Sequence, residues 1–253
     1  MSFARYPSLV DRVVFVTGGG SGIGAAIVEA FARNDARVAF VDIQVDASEA
    51  LVKSLGDAVP TPLFIKCDLL DIDALRGAIA RVRAEVGPVS VLVNNAANDD
   101  RHKLDEVTPD RWDRALNVNL RHQFFAAQAV RPHMRELGGG SIINFSSIAW
   151  MMGGADFIGY STAKSGVIGL TNSLARELGP DNIRVNAIAP GAVVTERQLR
   201  LWYTEKQAEE MAARQFIRRR LLPDEVARAA LFLAADDSRM ITKQCINVDA
   251  GMR

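Results

Sequence analysis

A chain of 253 residues with 49% apolar content suits one large α/β domain with a sizeable core. Its 30 basic and 30 acidic residues cancel, so no global charge points to nucleic acid or to an anionic membrane surface. No run approaches the roughly 18 apolar residues of a membrane helix, and Cys67 and Cys245 make neither a disulfide framework nor a zinc spacing. The N-terminal MSFARYPSLVDR lacks the apolar core of a secretory signal, and a reducing, cytoplasmic setting is expected.

RVVFVT, Arg12 to Thr17, is a short apolar run ending in glycines and reads as a buried strand. GGGSGIG follows from Gly18 to Gly24, then AAIVEAFARND with helical periodicity, then a second strand from Arg37 to Asp42. Strand, glycine-rich turn, helix and strand form the nucleotide-binding half-fold. Gly18 permits a tight turn, Gly22 leaves room for a cofactor, and Gly24 lets the helix pack on the sheet. The helix N-terminus then offers free N–H groups to a pyrophosphate. Asp42 lies eighteen residues beyond Gly24. A carboxylate there can hydrogen-bond both ribose hydroxyls and repels a 2′-phosphate. No Lys or Arg among Gly19, Gly20 and Ser21 offsets it, which favours NAD over NADP.

Helices over Ala47–Leu55 and Ile72–Val86 alternate with the strands PLFIKCD and VSVLVNN. Asp68, ending the third strand, either reaches an adenine amino group or caps a helix. Asn94, Asn95, Ala96 and Ala97 end the fourth strand, on the edge where open α/β sheets bind ligands. NDDRHKLDEV, Asn98 to Val107, is a polar loop near that crevice. One histidine, His102, beside two aspartates is a poor metal set, and a solvated loop is expected.

Thr108 to Leu137 reads as one long helix with Pro109 at its start. Asn119 sits amid apolar neighbours, so it needs a water or backbone partner and is expected to bend the helix. SIINFSS is the fifth strand and delivers Ser147. Tyr160 and Lys164 are four residues apart on a helix from about Phe157 to Leu178, hence on one face. An ammonium one turn away favours the phenolate and lowers the phenol pKa. Ser147 would hold a substrate oxygen beside it. Gly179 and Pro180 end that helix, and NIRVNAIAP is the sixth strand.

The charged stretch 196–222 is too long for a turn and reads as a binding loop or lid. Arg218 to Arg220 is expected to be a solvated face. Asp224 to Ala235 is helical and QCINVDAG is a last strand. The expectation is an α/β fold: a single doubly wound Rossmann-type domain over 1–253, with a seven-stranded parallel sheet flanked by helices.

Together these residues resemble the short-chain dehydrogenase/reductase family, in its classical branch. The elements are TGGGSGIG from Thr17, Asp42, Asp68, NNAA from Asn94, Asn119 in NVNL, Ser147, Tyr160-x-x-x-Lys164, and Pro190-Gly191 with Thr195. Ala97 stands where the family usually has glycine. The resemblance implies that Tyr160 is the catalytic acid/base and that Lys164 lowers its pKa and binds the nicotinamide ribose. It implies that Ser147 positions the substrate oxygen and that Asn119 holds a water linking Lys164 to solvent. Cofactor contacts are implied for Gly18, Ser21, Gly22, Ile23, Gly24, Asp42, Asp68, Leu69, Asn95, Ala96, Pro190, Gly191, Val193 and Thr195, besides Tyr160 and Lys164. A homotetramer, or a dimer, is implied, with the helices Thr108–Leu137 and Phe157–Leu178 at subunit contacts.

NDDRHKL, NVNLRHQFF, INFSSIAW and the terminal VDAGMR further resemble bacterial sugar 1-dehydrogenases, D-xylose dehydrogenases in particular. That implies NAD-dependent oxidation of the anomeric hydroxyl of a pentose or related sugar, such as D-xylose, L-arabinose, D-galactose or L-fucose, to the lactone. A sugar site needs polar partners for several hydroxyls. Asn98, Asp99, Arg101, His102, Arg197 and Gln198 supply them around Ser147 and Tyr160, with Trp150 and Trp202 as stacking faces. Two other readings are a reductase of 3-oxoacyl groups or small ketones, and a non-catalytic NAD-binding regulator. Asp42 and the polar loop count against the first, and the full Ser, Tyr, Lys and Asn set against the second.

Overall fold

The computed structural model describes residues 3–56 and 59–253. Seven parallel strands form one sheet in the order β3-β2-β1-β4-β5-β6-β7. They are β1 (Val13–Thr17), β2 (Arg37–Asp42), β3 (Leu63–Lys66), β4 (Val91–Asn94), β5 (Gly140–Phe145), β6 (Ile183–Pro190) and β7 (Cys245–Val248). All five residues of β1 are buried, because the sheet is covered on both faces. Val14 and Val16 pack with Phe31 of α1 (Gly22–Ala32) and Leu231 of α9 (Pro223–Ala234). Val13 and Phe15 face the opposite core, built from Leu75 of α3 (Ile72–Glu85), Val130 of α5 (His122–Glu136) and Leu178 of α6 (Ile158–Leu178). Period-two alternation thus sends each strand into two cores.

The strand order turns back between β1 and β4, which pair directly, Thr17 against Asn94. A ligand crevice opens at the carboxyl ends of the strands at such a switch point. Both the glycine-rich turn after β1 and the NNAA turn after β4 lead into it.

Two expectations need correction. The single helix over Thr108–Leu137 is α4 (Pro109–Leu116), a π-helical turn over Asn117–Arg121, and α5. Asn119 Nδ2 donates back to the Ala115 carbonyl at 2.9 Å. That carbonyl is the one an α-helix offers to the main-chain N–H of residue 119, so the side chain competes with the ladder and the turn widens. The stretch 196–222 carries two helices, α7 (Glu196–Leu201) and α8 (Glu205–Arg214). There Arg219 pairs with Glu225 and Arg220 with Glu205, so only part of the arginine run is a simple solvated face.

Candidate active site

The glycine-rich turn and the NNAA turn fit each other closely. Asn95 Nδ2 donates to the Gly18 carbonyl at 2.8 Å and to that of Thr17 at 3.2 Å. Gly18 has φ +66°, and a Cβ there would lie 2.8 Å from Ala96 Cα. A Cβ on Gly24 would lie 1.8 Å from the Gly18 carbonyl oxygen, so no side chain fits at this start of α1. Ser21 is the N-cap of α1 but makes no side-chain cap bond, and its hydroxyl accepts from Gln44 at 3.0 Å. The first turn of α1 carries no acidic residue. Its N–H groups therefore suit a phosphate.

Asp42 ends β2 with 8% exposure. Its carboxylate accepts from Gly20 N at 2.8 Å and Gln44 N at 2.9 Å, which fixes it at the rim of the turn. Asp68 accepts from Leu70 N at 3.0 Å in a local turn, while Asp71 is the N-cap of α3. Helix capping is therefore not the task of Asp68. Leu69 is 7% exposed and its side chain belongs to the core, leaving its main chain for a ligand. A cradle without side chains, a free helix N-terminus and a fixed carboxylate fit a nicotinamide dinucleotide.

Beyond the cradle lies one cavity of about 340 Å³. Ser147, Tyr160 and Lys164 line it, with Ile23 and Asn95 towards the cradle and Pro190, Gly191, Val193 and Thr195 on the β6 side. Ser147 follows β5 and caps a short 3-10 turn, its Oγ accepting from Ala149 N at 3.1 Å. Lys164 is 1% exposed; its Nζ donates to the Phe145 carbonyl at 2.7 Å, and burial pushes its pKa down to about 7. Tyr160 was expected to ionise early under that ammonium. Instead burial carries its pKa up to about 12, hydrogen bonding by Ser147 pulls it down, and the Asp99 carboxylate pushes it up. Desolvation of the phenolate outweighs the help that Ser147 and Arg197 give it.

The Asn119 side chain meets backbone. Its Oδ1 accepts from Asn98 N at 2.8 Å and its Nδ2 donates to Asn98 O at 3.0 Å. The loop after β4 is thereby fastened to the π turn. Gln123 Nε2 donates to the Asn119 main-chain carbonyl at 3.0 Å. Next to it His122, which the sequence reading passed over, is fully buried, with Nε2 3.3 Å from the Ala96 carbonyl. Burial first, and then the Lys164 charge, lower its pKa to about 3. Its signal was only a histidine at helical spacing from Asn119. Beneath the crevice, Asn94 Nδ2 donates to Asn144 Oδ1 at 2.9 Å, and Asn144 Nδ2 donates to Thr171 Oγ1 at 3.0 Å.

At the cavity mouth the loop after β4 meets the stretch after β6. Arg197 pairs with Asp99 at 2.5 Å and donates to Asn98 Oδ1 at 2.8 Å, while Gln198 donates to Asp99 at 3.1 Å. Arg101 donates to the Tyr203 hydroxyl at 3.0 Å, and its guanidinium lies 4.7 Å from the Trp202 ring centre and 5.8 Å from that of Phe157. Asp99, Arg101, Gln198, Phe157 and Tyr203 line the cavity, as do Met152, Met211 and Met252.

Some candidate substrate residues stand elsewhere. Trp150 donates to Ser146 Oγ at 3.1 Å and Trp202 is stacked on Arg101; neither lines the cavity, whose aromatic lining includes Phe157 and Tyr203. Asn98 and Arg197 do not line the cavity; Arg197 holds Asp99 and donates to Asn98 Oδ1. His102 is 6% exposed rather than solvated, because its segment is pinned by a bond from its N–H to the Asp156 carbonyl at 2.6 Å. Arg101 lines the mouth as its polar character implies; the roles of Tyr203 and Phe157 were not legible, since only a folded chain brings 101, 157 and 203 together.

A serine, a tyrosine and a lysine thus share one cavity beside a dinucleotide cradle. A family model described as enoyl-(acyl carrier protein) reductase matches residues 18–253. The chain belongs to the short-chain dehydrogenase/reductase family. It is accordingly an oxidoreductase that uses a nicotinamide cofactor. This dehydrogenase is 54% identical over 250 residues to a Rhizobium meliloti protein described as a probable galactose dehydrogenase, covering 98% of each chain. It is 49% identical over 253 residues to the D-xylose 1-dehydrogenase of Caulobacter vibrioides, covering 100% of both. A solved Serratia marcescens short-chain dehydrogenase/reductase mutant superposes with a TM-score of 0.89 at 34% identity, covering 97% of this chain and 99% of that one. No helix among the described residues is long and apolar enough to cross a membrane.

Proposed function

We propose that the protein is an NAD-dependent aldose 1-dehydrogenase that oxidises the anomeric hydroxyl of a pentose or related sugar to the lactone. The observation that carries this is the cavity itself, where Ser147, Tyr160 and Lys164 sit under a mouth made polar by Asp99, Arg101 and Gln198. Sugar hydroxyls need such partners when buried, and the two relatives named above act, by their descriptions, on galactose and D-xylose.

The preference for NAD rests on Asp42, whose fixed carboxylate would face a 2′-phosphate with no cation among Gly19, Gly20 and Ser21. The cradle of Gly18, Gly22 and Gly24 with the start of α1 would hold the pyrophosphate. The bound nicotinamide supplies the hydride acceptor and a positive ring charge. Tyr160 takes the proton of the anomeric hydroxyl as general base. Ser147 holds the substrate oxygen against the phenol. Lys164 stabilises the phenolate, and the Asn119 carbonyl holds the water through which Lys164 exchanges protons with solvent. The stretch 196–222 acts as a lid over the mouth. Exposed Phe124 on α5 and Ile158 on α6 suit the subunit contacts of a tetramer or dimer.

Met152, Met211 and Met252 in the same cavity favour the second reading, a 3-oxoacyl or small-ketone reductase. A panel of aldoses and medium-chain alcohols with NAD, followed by NADH absorbance, separates the two. Oxidation of free aldoses with little activity on aliphatic alcohols is expected. A panel in which no aldose reacts while an acyl or aliphatic ketone is reduced overturns the sugar reading and leaves the family membership standing.

A further inference from the structure

Asp99 lines the cavity that holds Tyr160, and both its oxygens are taken from α7. Arg197 reaches Oδ1 at 2.5 Å and Gln198 reaches Oδ2 at 3.1 Å. Arg197 also donates to Asn98 Oδ1, so one guanidinium bridges two successive side chains of the loop after β4. The Asp99 side chain is 17% exposed and that of Arg197 37%, so the pair is only partly screened by solvent.

We propose that Arg197 is a positioning residue: from the lid it orients and neutralises Asp99 beside Tyr160, and so lets the phenol act as a base. This rests on the reading of Tyr160 as proton acceptor. The groups that act on the phenol come from five places. Ser147 follows β5, Lys164 is on the same helix, Asp99 follows β4, Arg197 lies on α7 and Tyr203 follows it. Of the two charges at the mouth, Asp99 opposes ionisation and Arg197 favours it. Remove Arg197, and the carboxylate acts on the phenol alone.

The test compares the pH dependence of kcat/KM in the native enzyme, Arg197→Met, Arg197→Lys, Asp99→Asn and the Arg197→Met/Asp99→Asn double variant. The substrate is whichever alcohol the native enzyme oxidises fastest, and NAD affinity is followed by fluorescence quenching. Arg197→Met should move the ascending limb up by about one pH unit, a loss of roughly tenfold at neutral pH. Arg197→Lys should keep the limb near its native place, and Asp99→Asn should restore it in the Arg197→Met background, with NAD affinity unchanged throughout. A limb that stays in place in Arg197→Met, or stays displaced in the double variant, overturns the proposal. The choice of substrate makes this outcome independent of the sugar reading. If Tyr160→Phe kept the ascending limb, the assignment of the base would fall, and this proposal with it.

Discussion

The Lys164 ammonium lies 5.7 Å from the centre of the Tyr160 ring, and burial drives the two groups towards their neutral forms, Lys164 down to about 7 and Tyr160 up to about 12. The positive ring of a bound oxidised nicotinamide would favour the phenolate, as would the Lys164 ammonium. Tyr160→Phe keeps the ring and removes the ionisable oxygen. Turnover should fall by on the order of 10² to 10⁴ or more, with NAD binding by fluorescence quenching nearly intact. Activity within a few-fold of native would remove Tyr160 from the role. Lys164→Met should weaken NAD binding and rate together.

The proposed preference for NAD is tested at Asp42. Replacement by Ala removes the acceptor that fixes Gly20 N and the charge that faces a 2′-phosphate. The ratio of kcat/KM with NAD to that with NADP should shrink towards one, mainly through a poorer KM for NAD. An unchanged ratio would mean that other residues set the preference.

Asn119→Ala should act on the loop after β4. Both polar groups of the half-buried Asn98 backbone lose their partner, at up to the roughly 1–3 kcal/mol that a fully buried unpaired group costs. A lower melting temperature is expected, with KM for the sugar raised more than KM for NAD. Equal effects on both KM values would place the damage elsewhere.

His122 gives an acid limb to stability. Its folded pKa, about 3, lies below its ordinary value of 6.5. Between those values the unfolded chain binds the proton and the folded chain does not, so stability rises with pH across the window and is lost as pH falls below 6.5. His122→Gln should flatten the decline in melting temperature between about pH 6.5 and 4. A decline as steep as in the native protein would assign it to other groups, the buried His133 among them.

Sheet and cradle were legible because their signals are local. Arg37 to Asp42 is bounded as read, and the glycine spacing needs no distant partner to be recognised. Asn119 was flagged because an amide among apolar helix residues demands a partner, yet the partner, the Asn98 backbone, follows from β4 meeting the π turn. The mouth was harder. Its polar character could be read from residues 98–101 and 197–198, but which side chain faces the cavity depends on tertiary packing. Trp150 and Trp202 turn aside for that reason, and Phe157 and Tyr203 take the wall.

The buried amides Asn94 and Asn144 bear on how the sheet assembles. They sit opposite each other in the β4–β5 pairing and bond side chain to side chain, with Thr171 of α6 completing the row. Apolar strands such as VLVN and GSIINF could slide past one another with little loss of contact. A slip of one residue would turn each side chain to the other face and strand these amides without acceptors, at about 1–3 kcal/mol apiece. The row therefore proofreads strand alignment, rejecting shifted pairings between the nucleotide-binding half and the half that carries Ser147, Tyr160 and Lys164.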